Sequence, residues 1–349
     1  MALTLSFRFF ELPLAHPFTI SRYTVVVQKT VVACISDGEF SGYGEATVNP
    51  YYHSTVERLT ASFAKVMPMI NGLSDPSLQV EPAKQCHPTE FWAQIAPHLQ
   101  EDYFALCAID MAYWDFYARK QGQTVRSLFT TQTQTPLTSY TIAIDSPDVM
   151  RQKILEKPWP IYKIKLGTRD DLKIVETLRK TTDAVFRVDA NAAWTADQAI
   201  VYSKILKDFD VEFIEQPLKA DDAEGMKRVK AESSLPVIAD ESCQREADVE
   251  ICAGQFHGIN IKLMKCGGIT PALRMIENAK TQGLLLMAGC MTESTVGISG
   301  LAQIAPLLDF IDADGALLLR EDIARGVWFE DGKIHYPDQS GTGVELFGF

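Results

Sequence analysis

The feature that most constrains how this chain can fold is a repeat in its second part. Short runs rich in β-branched residues, each closed by a polar or sulfur-bearing residue, alternate with segments of helical length. From residue 137 onward the runs SYTIAI, IYKIKLG, AVFRVDAN, VEFIEQP, LPVIADES, GINIKLM, LLLMAGC and FIDADGA succeed one another. The closing residues Lys165, Asp189, Glu215, Asp240, Lys262, Cys290 and Asp312 recur every 22 to 28 residues. Segments such as DDLKIVETLRK, TADQAIVYSKILKD and ITPALRMIENAKTQG fill the intervals. Strands alternating with such helices imply βαβ units and a parallel sheet, and a steady spacing marks a repeated supersecondary unit. Eight runs predict an α/β protein whose catalytic domain, residues 129–328, is a (β/α) barrel of the modified TIM type.

The first third has a different rhythm. Residues 1–50 read as strands, with turn signals at Asp37-Gly38 and Gly42. STVERLTASFAKVMPMI starts on a serine suited to cap a helix, and YFALCAIDMAYWDFYARKQG predicts an apolar-faced helix ended by Gly122. This is an α+β capping domain over residues 1–128, and the hairpin-like tail at 329–349 is expected to return to it.

Composition excludes several functions. The 349 residues carry 33 Lys+Arg against 45 Asp+Glu, a net charge of −12. Nucleic acid and anionic membrane surfaces need a basic face, so neither is expected as a partner. No uncharged apolar run is long enough to span a bilayer, and charges at Arg8 and Glu11 argue against a signal peptide. The seven cysteines are scattered without a C-x-x-C pair, which suits a reducing cytoplasm. The six histidines lack ligand spacing, so a zinc site built on His or Cys is not expected. A cytoplasmic small-molecule enzyme fits these constraints.

In a (β/α) barrel, catalytic groups sit at the C-terminal strand ends, and here those ends are charged. Asp189 with Asn191, Glu215, and Asp240 with Glu241 close the third, fourth and fifth runs. Three carboxylates on neighbouring strands form an all-oxygen cradle for Mg²⁺ or Mn²⁺. Lys163 and Lys165 share one side of the second strand, and Lys262 closes the sixth, so Lys165 and Lys262 face each other across the ring. Nearby cations would lower a lysine pKa and let it act as a base. Lys265 is a rival for the sixth-strand role, but strand alternation puts Asn260 and Lys262 on one face and leaves Lys265 in the following loop. Asp312 and Asp314 form a D-x-D pair on the eighth strand.

At these positions the sequence resembles the enolase superfamily, in its muconate-lactonizing branch. The matching pieces are K-x-K in YKIKLG, Asp in RVDAN, Glu in FIEQP, Asp-Glu in ADES and Lys in NIKLMKCGG, with G-Y-G-E-A at 42–46 similar to a capping-domain segment. The resemblance implies that Asp189, Glu215 and Asp240 hold one Mg²⁺ per subunit, with Mn²⁺ a substitute. It makes Lys165 and Lys262 an acid/base pair and Lys163 an auxiliary cation near the substrate carboxylate. The implied chemistry is removal of an α-proton by one lysine, ene-diolate stabilisation by the metal, and reprotonation by the other lysine.

Within the branch, IDADGALLL resembles the D-x-D of dipeptide epimerases, whose aspartates hold the substrate α-ammonium. Charge agrees: five carboxylates, three lysines and a divalent cation sum to zero, which suits a zwitterionic dipeptide and disfavours a dianion. The expected reaction is inversion of the α-carbon of the C-terminal residue of L-Ala-D/L-Glu or another Ala-X dipeptide, as in peptidoglycan breakdown. Thr141, Cys290, Met291 and Thr292 match segments lining the dipeptide site, and Arg22 matches a position that in some relatives meets a glutamate side chain. The small Thr292 leaves the side-chain preference open. Alternatives are a muconate cycloisomerase, o-succinylbenzoate synthase or N-acylamino acid racemase on the same scaffold, or a barrel that binds without catalysis. Sugar-acid dehydration is disfavoured, because LLLMAGCMTES has no histidine. The resemblance also implies a homo-oligomer.

Overall fold

The computed structural model describes residues 3–72 and 83–348. Its first element is an antiparallel meander of β1 (Thr4–Thr19), β2 (Thr24–Ser36) and β3 (Ser41–Thr47). The β1–β2 register shifts between Pro13 and Phe18. At this irregularity Leu14 bridges to Leu319, and the Arg320 amide donates to the Pro13 carbonyl at 2.8 Å. β1 is thereby tied at Pro13 and Leu14 to the loop after the last barrel strand.

Helices α1 (Val56–Ile70), α2 (Pro88–Ile95) and α3 (Tyr103–Lys120) follow. The cap of α1 is Thr55, whose side chain accepts from the Arg58 amide, rather than the expected Ser54, whose hydroxyl donates to the Thr47 carbonyl. Helix α3 is buried on nearly every face rather than one, because the sheet covers one side and the barrel the other. Trp114 donates to Thr270 Oγ1 at 2.9 Å, and Asp110 accepts from the Thr270 amide and hydroxyl. The glycines of GYGEA explain how close β3 comes. A methyl group on Gly44 would lie 2.1 Å from the Ala108 carbonyl oxygen, and one on Gly42 2.1 Å from the Phe116 amide nitrogen. Gly44→Ala must push sheet and helix apart, so its denaturation midpoint should fall by the equivalent of about 1–3 kcal/mol. An unchanged midpoint would contradict backbone contact at this position.

The barrel strands are β4 (Tyr140–Ile142), β5 (Ile161–Lys165), β6 (Val185–Asp189), β7 (Val211–Glu215), β8 (Val237–Ala239), β9 (Gly258–Ile261), β10 (Leu285–Gly289) and β11 (Phe310–Asp312). They form one parallel sheet in sequential order, and a parallel bridge between Thr138 and Ile311 joins its ends. Between them run α4 (Pro147–Glu156), α5 (Asp171–Arg179), α6 (Ala196–Asp208), α7 (Ala223–Glu232), α8 (Asp248–Ala253), the short α9 (Leu263–Cys266), α10 (Ile269–Thr281) and α11 (Thr295–Ala302). Each expected strand run holds an observed strand. Lower in the barrel, Phe213, Ile238 and Met287 pack together, and Arg187 lies over the rings of Phe213 and Phe310. The barrel is thus filled beneath its upper rim, as parallel barrels of this size are.

After β12 (Ala324–Arg325), the expected hairpin is β13 (Trp328–Glu330) with β14 (Lys333–His335), and β15 (Glu345–Leu346) pairs with β12. Thr138 donates to the Gly332 carbonyl at 2.8 Å, and Thr342 donates to Asp115 of α3 through amide and hydroxyl. The tail therefore touches both barrel and cap. No helix among the described residues is long and apolar enough to cross a membrane.

Candidate active site

Strand register builds the floor of the site. Lys165 pairs with Asp189 and Asp189 with Glu215 across β5, β6 and β7, so these three groups stand at one level. Alternation turns them all toward the barrel axis. Asp240 follows β8 directly, and Lys262 follows β9.

One carboxylate oxygen from each of Asp189, Glu215 and Asp240 lies within 4.8 Å of the others, and all three residues are buried. Each is braced. Asp189 accepts from the Asn191 amide at 2.9 Å, and Glu215 from Asn260 Nδ2 at 2.8 Å. Asp240 accepts from Lys265 Nζ at 2.7 Å, and that ammonium also donates to the carbonyls of Asp240, Cys243 and Asn260. Burial and neighbouring Asp189 push the Glu215 carboxyl up to about 7, although Lys163 lies 2.8 Å away. Three buried, convergent carboxylates offer the hard oxygen donors that fit a divalent cation.

The lysines stand around this cluster. Lys165 Nζ is 2.6 Å from Asp189 and Lys262 Nζ 2.8 Å from Asp240. Lys163 contacts Glu215 and Asp312 at 2.8 Å each and Asp189 at 3.4 Å. Among the protein's own charges, the expected lowering of lysine pKa is reversed for Lys262. Burial and Lys163 act downward, but Asp240 and Glu215 together outweigh them and hold the ammonium above its ordinary value. Lys265 lies in α9 rather than a loop and is fully occupied by four oxygens, whereas Lys262 lines the cavity.

On the other side of the ring, Asp312 accepts from Ser139 Oγ at 2.8 Å and Asp314 from the Thr141 amide at 2.6 Å. Both are buried, so the D-x-D is not a surface turn. Lys163 and Lys165 hold Asp312 down at about 2 against the effect of burial. Burial and neighbouring Asp312 push Asp314 up to about 7.

The cavity is lined by Thr141, Lys163, Lys165, Asp240, Lys262, Cys290, Met291, Thr292, Asp312, Asp314 and Arg22, while Asp189 and Glu215 lie buried in its floor. The cap adds Ile20, Tyr23, Asn49, Tyr51 and Tyr52, which no motif in the sequence singled out. Arg22 is not free: it donates to the Asn191 carbonyl at 3.0 Å and to the Glu241 carboxylate, and lies 4.1 Å over the Tyr51 ring. Lys265, Glu241 and Arg22, which the sequence-based charge sum left out, together move the local charge by one positive unit.

Comparison with known proteins agrees with this arrangement. Residues 148–347 match the enolase C-terminal domain-like family, and residues 5–129 match the mandelate racemase/muconate lactonizing enzyme N-terminal domain. The chain is 51% identical over 340 residues to an L-Ala-D/L-amino acid epimerase of Flavobacterium johnsoniae, covering 97% of this chain and 98% of that one. It is 47% identical over 344 residues to an L-Ala-D/L-amino acid epimerase of Maribacter sp., covering 98% and 99%. Among solved structures, the dipeptide epimerase of Enterococcus faecalis V583 complexed with Mg and the dipeptide L-Leu-L-Tyr superposes with a TM-score of 0.90 at 29% identity, covering 99% of each chain.

Proposed function

Since the chain belongs to the mandelate racemase/muconate lactonizing enzyme family of the enolase superfamily, we propose that it is a magnesium-dependent dipeptide epimerase inverting the α-carbon of the C-terminal residue. The observation that carries this reading is the pairing of two cavity-lining lysines on opposite sides of the ring with a buried carboxylate triad between them and an aspartate pair beyond.

Asp189, Glu215 and Asp240 would hold the dication, which when bound stabilises negative charge developing on the substrate carboxylate. Lys165 and Lys262 approach opposite faces of the α-carbon. One removes its proton, the other delivers a proton from the far side, and the centre inverts. Asp312 and Asp314 receive the substrate ammonium, which the dianionic muconate and succinyl substrates lack. Lys163, bonded to Asp312, Glu215 and Asp189, orients these carboxylates and offsets their charge.

The test is a dipeptide library incubated in D₂O with Mg²⁺ and read by mass. Gain of one deuterium at the C-terminal α-position, abolished by chelator and restored by Mg²⁺, is the expected result. Absence of exchange across the library would favour a barrel that only binds.

A further inference from the structure

The cavity wall across the ring from the aspartate pair is built differently from the rest. Arg22 sits in the turn between β1 and β2, where the Ile20 amide donates to the Tyr23 carbonyl at 3.1 Å. It reaches barrel residues beyond β6 and β8, Asn191 and Glu241, and stacks on Tyr51. Glu241 is only 3% exposed. The other cations lining the cavity are Lys163, Lys165 and Lys262, and each contacts a carboxylate of the floor. Among the described residues, the cavity therefore offers no cation without an acidic partner.

We infer that Glu241, by neutralising Arg22, makes this wall select dipeptides whose C-terminal side chain is uncharged, aliphatic or aromatic, over those with an acidic side chain. The inference rests on the epimerase reading. Sequential strand order sets β6–β8 opposite the β11–β4 seam, where Asp312 and Asp314 take the ammonium. With the α-carbon between Lys165 and Lys262, the side chain is left facing Arg22, Tyr51, Ile20 and Tyr23. An acidic side chain gains Arg22 only by displacing Glu241, which would strand a buried carboxylate beside Asp240. A neutral side chain leaves that pair intact and gains apolar contact with Ile20 and the two tyrosine rings. Discrimination thus comes from a charge set against the wrong ligand as well as contacts to the right one.

The Mg²⁺-loaded full-length enzyme is assayed with L-Ala-L-Leu, L-Ala-L-Tyr and L-Ala-L-Glu, and the ratios of kcat/KM are compared. The wild type should favour Leu and Tyr over Glu by about ten-fold or more, and Glu241→Gln should move the ratio toward Glu by about ten-fold. The double variant Arg22→Met/Glu241→Gln, which removes both charges and strands neither, covers the case in which Glu241→Gln fails to fold. Because the pair carries no net charge, removing both groups should not lower the Glu rate relative to the Leu rate. A wild-type preference for L-Ala-L-Glu, an unchanged ratio in a folded Glu241→Gln, or a selective loss of L-Ala-L-Glu turnover in the double variant overturns the inference and leaves the epimerase reading standing. No exchange with any of the three dipeptides overturns both.

Discussion

Lys262→Ala is expected to lower net epimerisation by about a thousand-fold, within the range of a general acid–base group removed from a site that uses it in every turnover, as base in one direction and as acid in the other. The diagnostic result is stereochemical. Lys165 and Lys262 belong to strands four positions apart in a ring of eight, so each can serve one face of the α-carbon. In D₂O, Lys262→Ala should abolish α-proton exchange from one stereoisomer while exchange from the other persists, and Lys165→Ala should show the converse. Single variants that exchange both stereoisomers at wild-type rates would contradict a two-base reaction. Lys262→Arg is a sharper probe than alanine. It keeps the charge beside Asp240, so the carboxylate is not left unpaired, but a guanidinium does not surrender its proton at neutral pH. Restored stability without restored exchange would separate proton transfer from charge balance.

The second large effect is at the aspartate pair. Asp314→Asn removes a carboxylate whose backbone partner, the Thr141 amide, an asparagine oxygen can keep. Loss of one charged partner of a desolvated ammonium costs about 2–5 kcal/mol, so kcat/KM for a dipeptide should fall by about thirty-fold or more. Asp312→Asn also weakens the hold on Lys163, which keeps Glu215 and Asp189 as partners, so its effect should extend to kcat. An N-acetylated dipeptide, which has no ammonium to lose, should be turned over slowly by the wild type and suffer less from Asp314→Asn. Unchanged dipeptide turnover in both variants would remove the basis for choosing a dipeptide over the dianionic substrates of the same scaffold.

The charged strand ends were legible because each interrupts an otherwise apolar run, and the parallel register does the rest. Lys165, Asp189 and Glu215 need no side-chain packing to come level. Their supports were not legible. Lys265 braces an aspartate 25 residues away from a helix that periodicity could not resolve in four residues. Asn260 shares a face with Lys262, but its role depends on Gly289, where a methyl group would lie 2.8 Å from the Asn260 amide. The partnership of Arg22 with Glu241 spans 219 residues, and no local pattern encodes it. For α3, an apolar stripe was expected and near-complete burial was found, because a two-sided environment erases the polar face that periodicity relies on.

The close packing of β3 on α3 has a consequence for how such an enzyme changes. Glu45, on β3, accepts from the Ser294 hydroxyl and amide and the Gly297 amide at the start of α11, and Asp110 holds the start of α10. The cap is thereby fastened to the barrel by groups that do not line the cavity. The turn at 20–23 and the tyrosines at 51 and 52 are left as short stretches that line the cavity without belonging to the carboxylate triad or the lysine pair. Substitutions there can retarget the enzyme to another dipeptide while the proton-transfer apparatus is inherited intact, so substrate range and reactivity can diverge at separate rates along one chain.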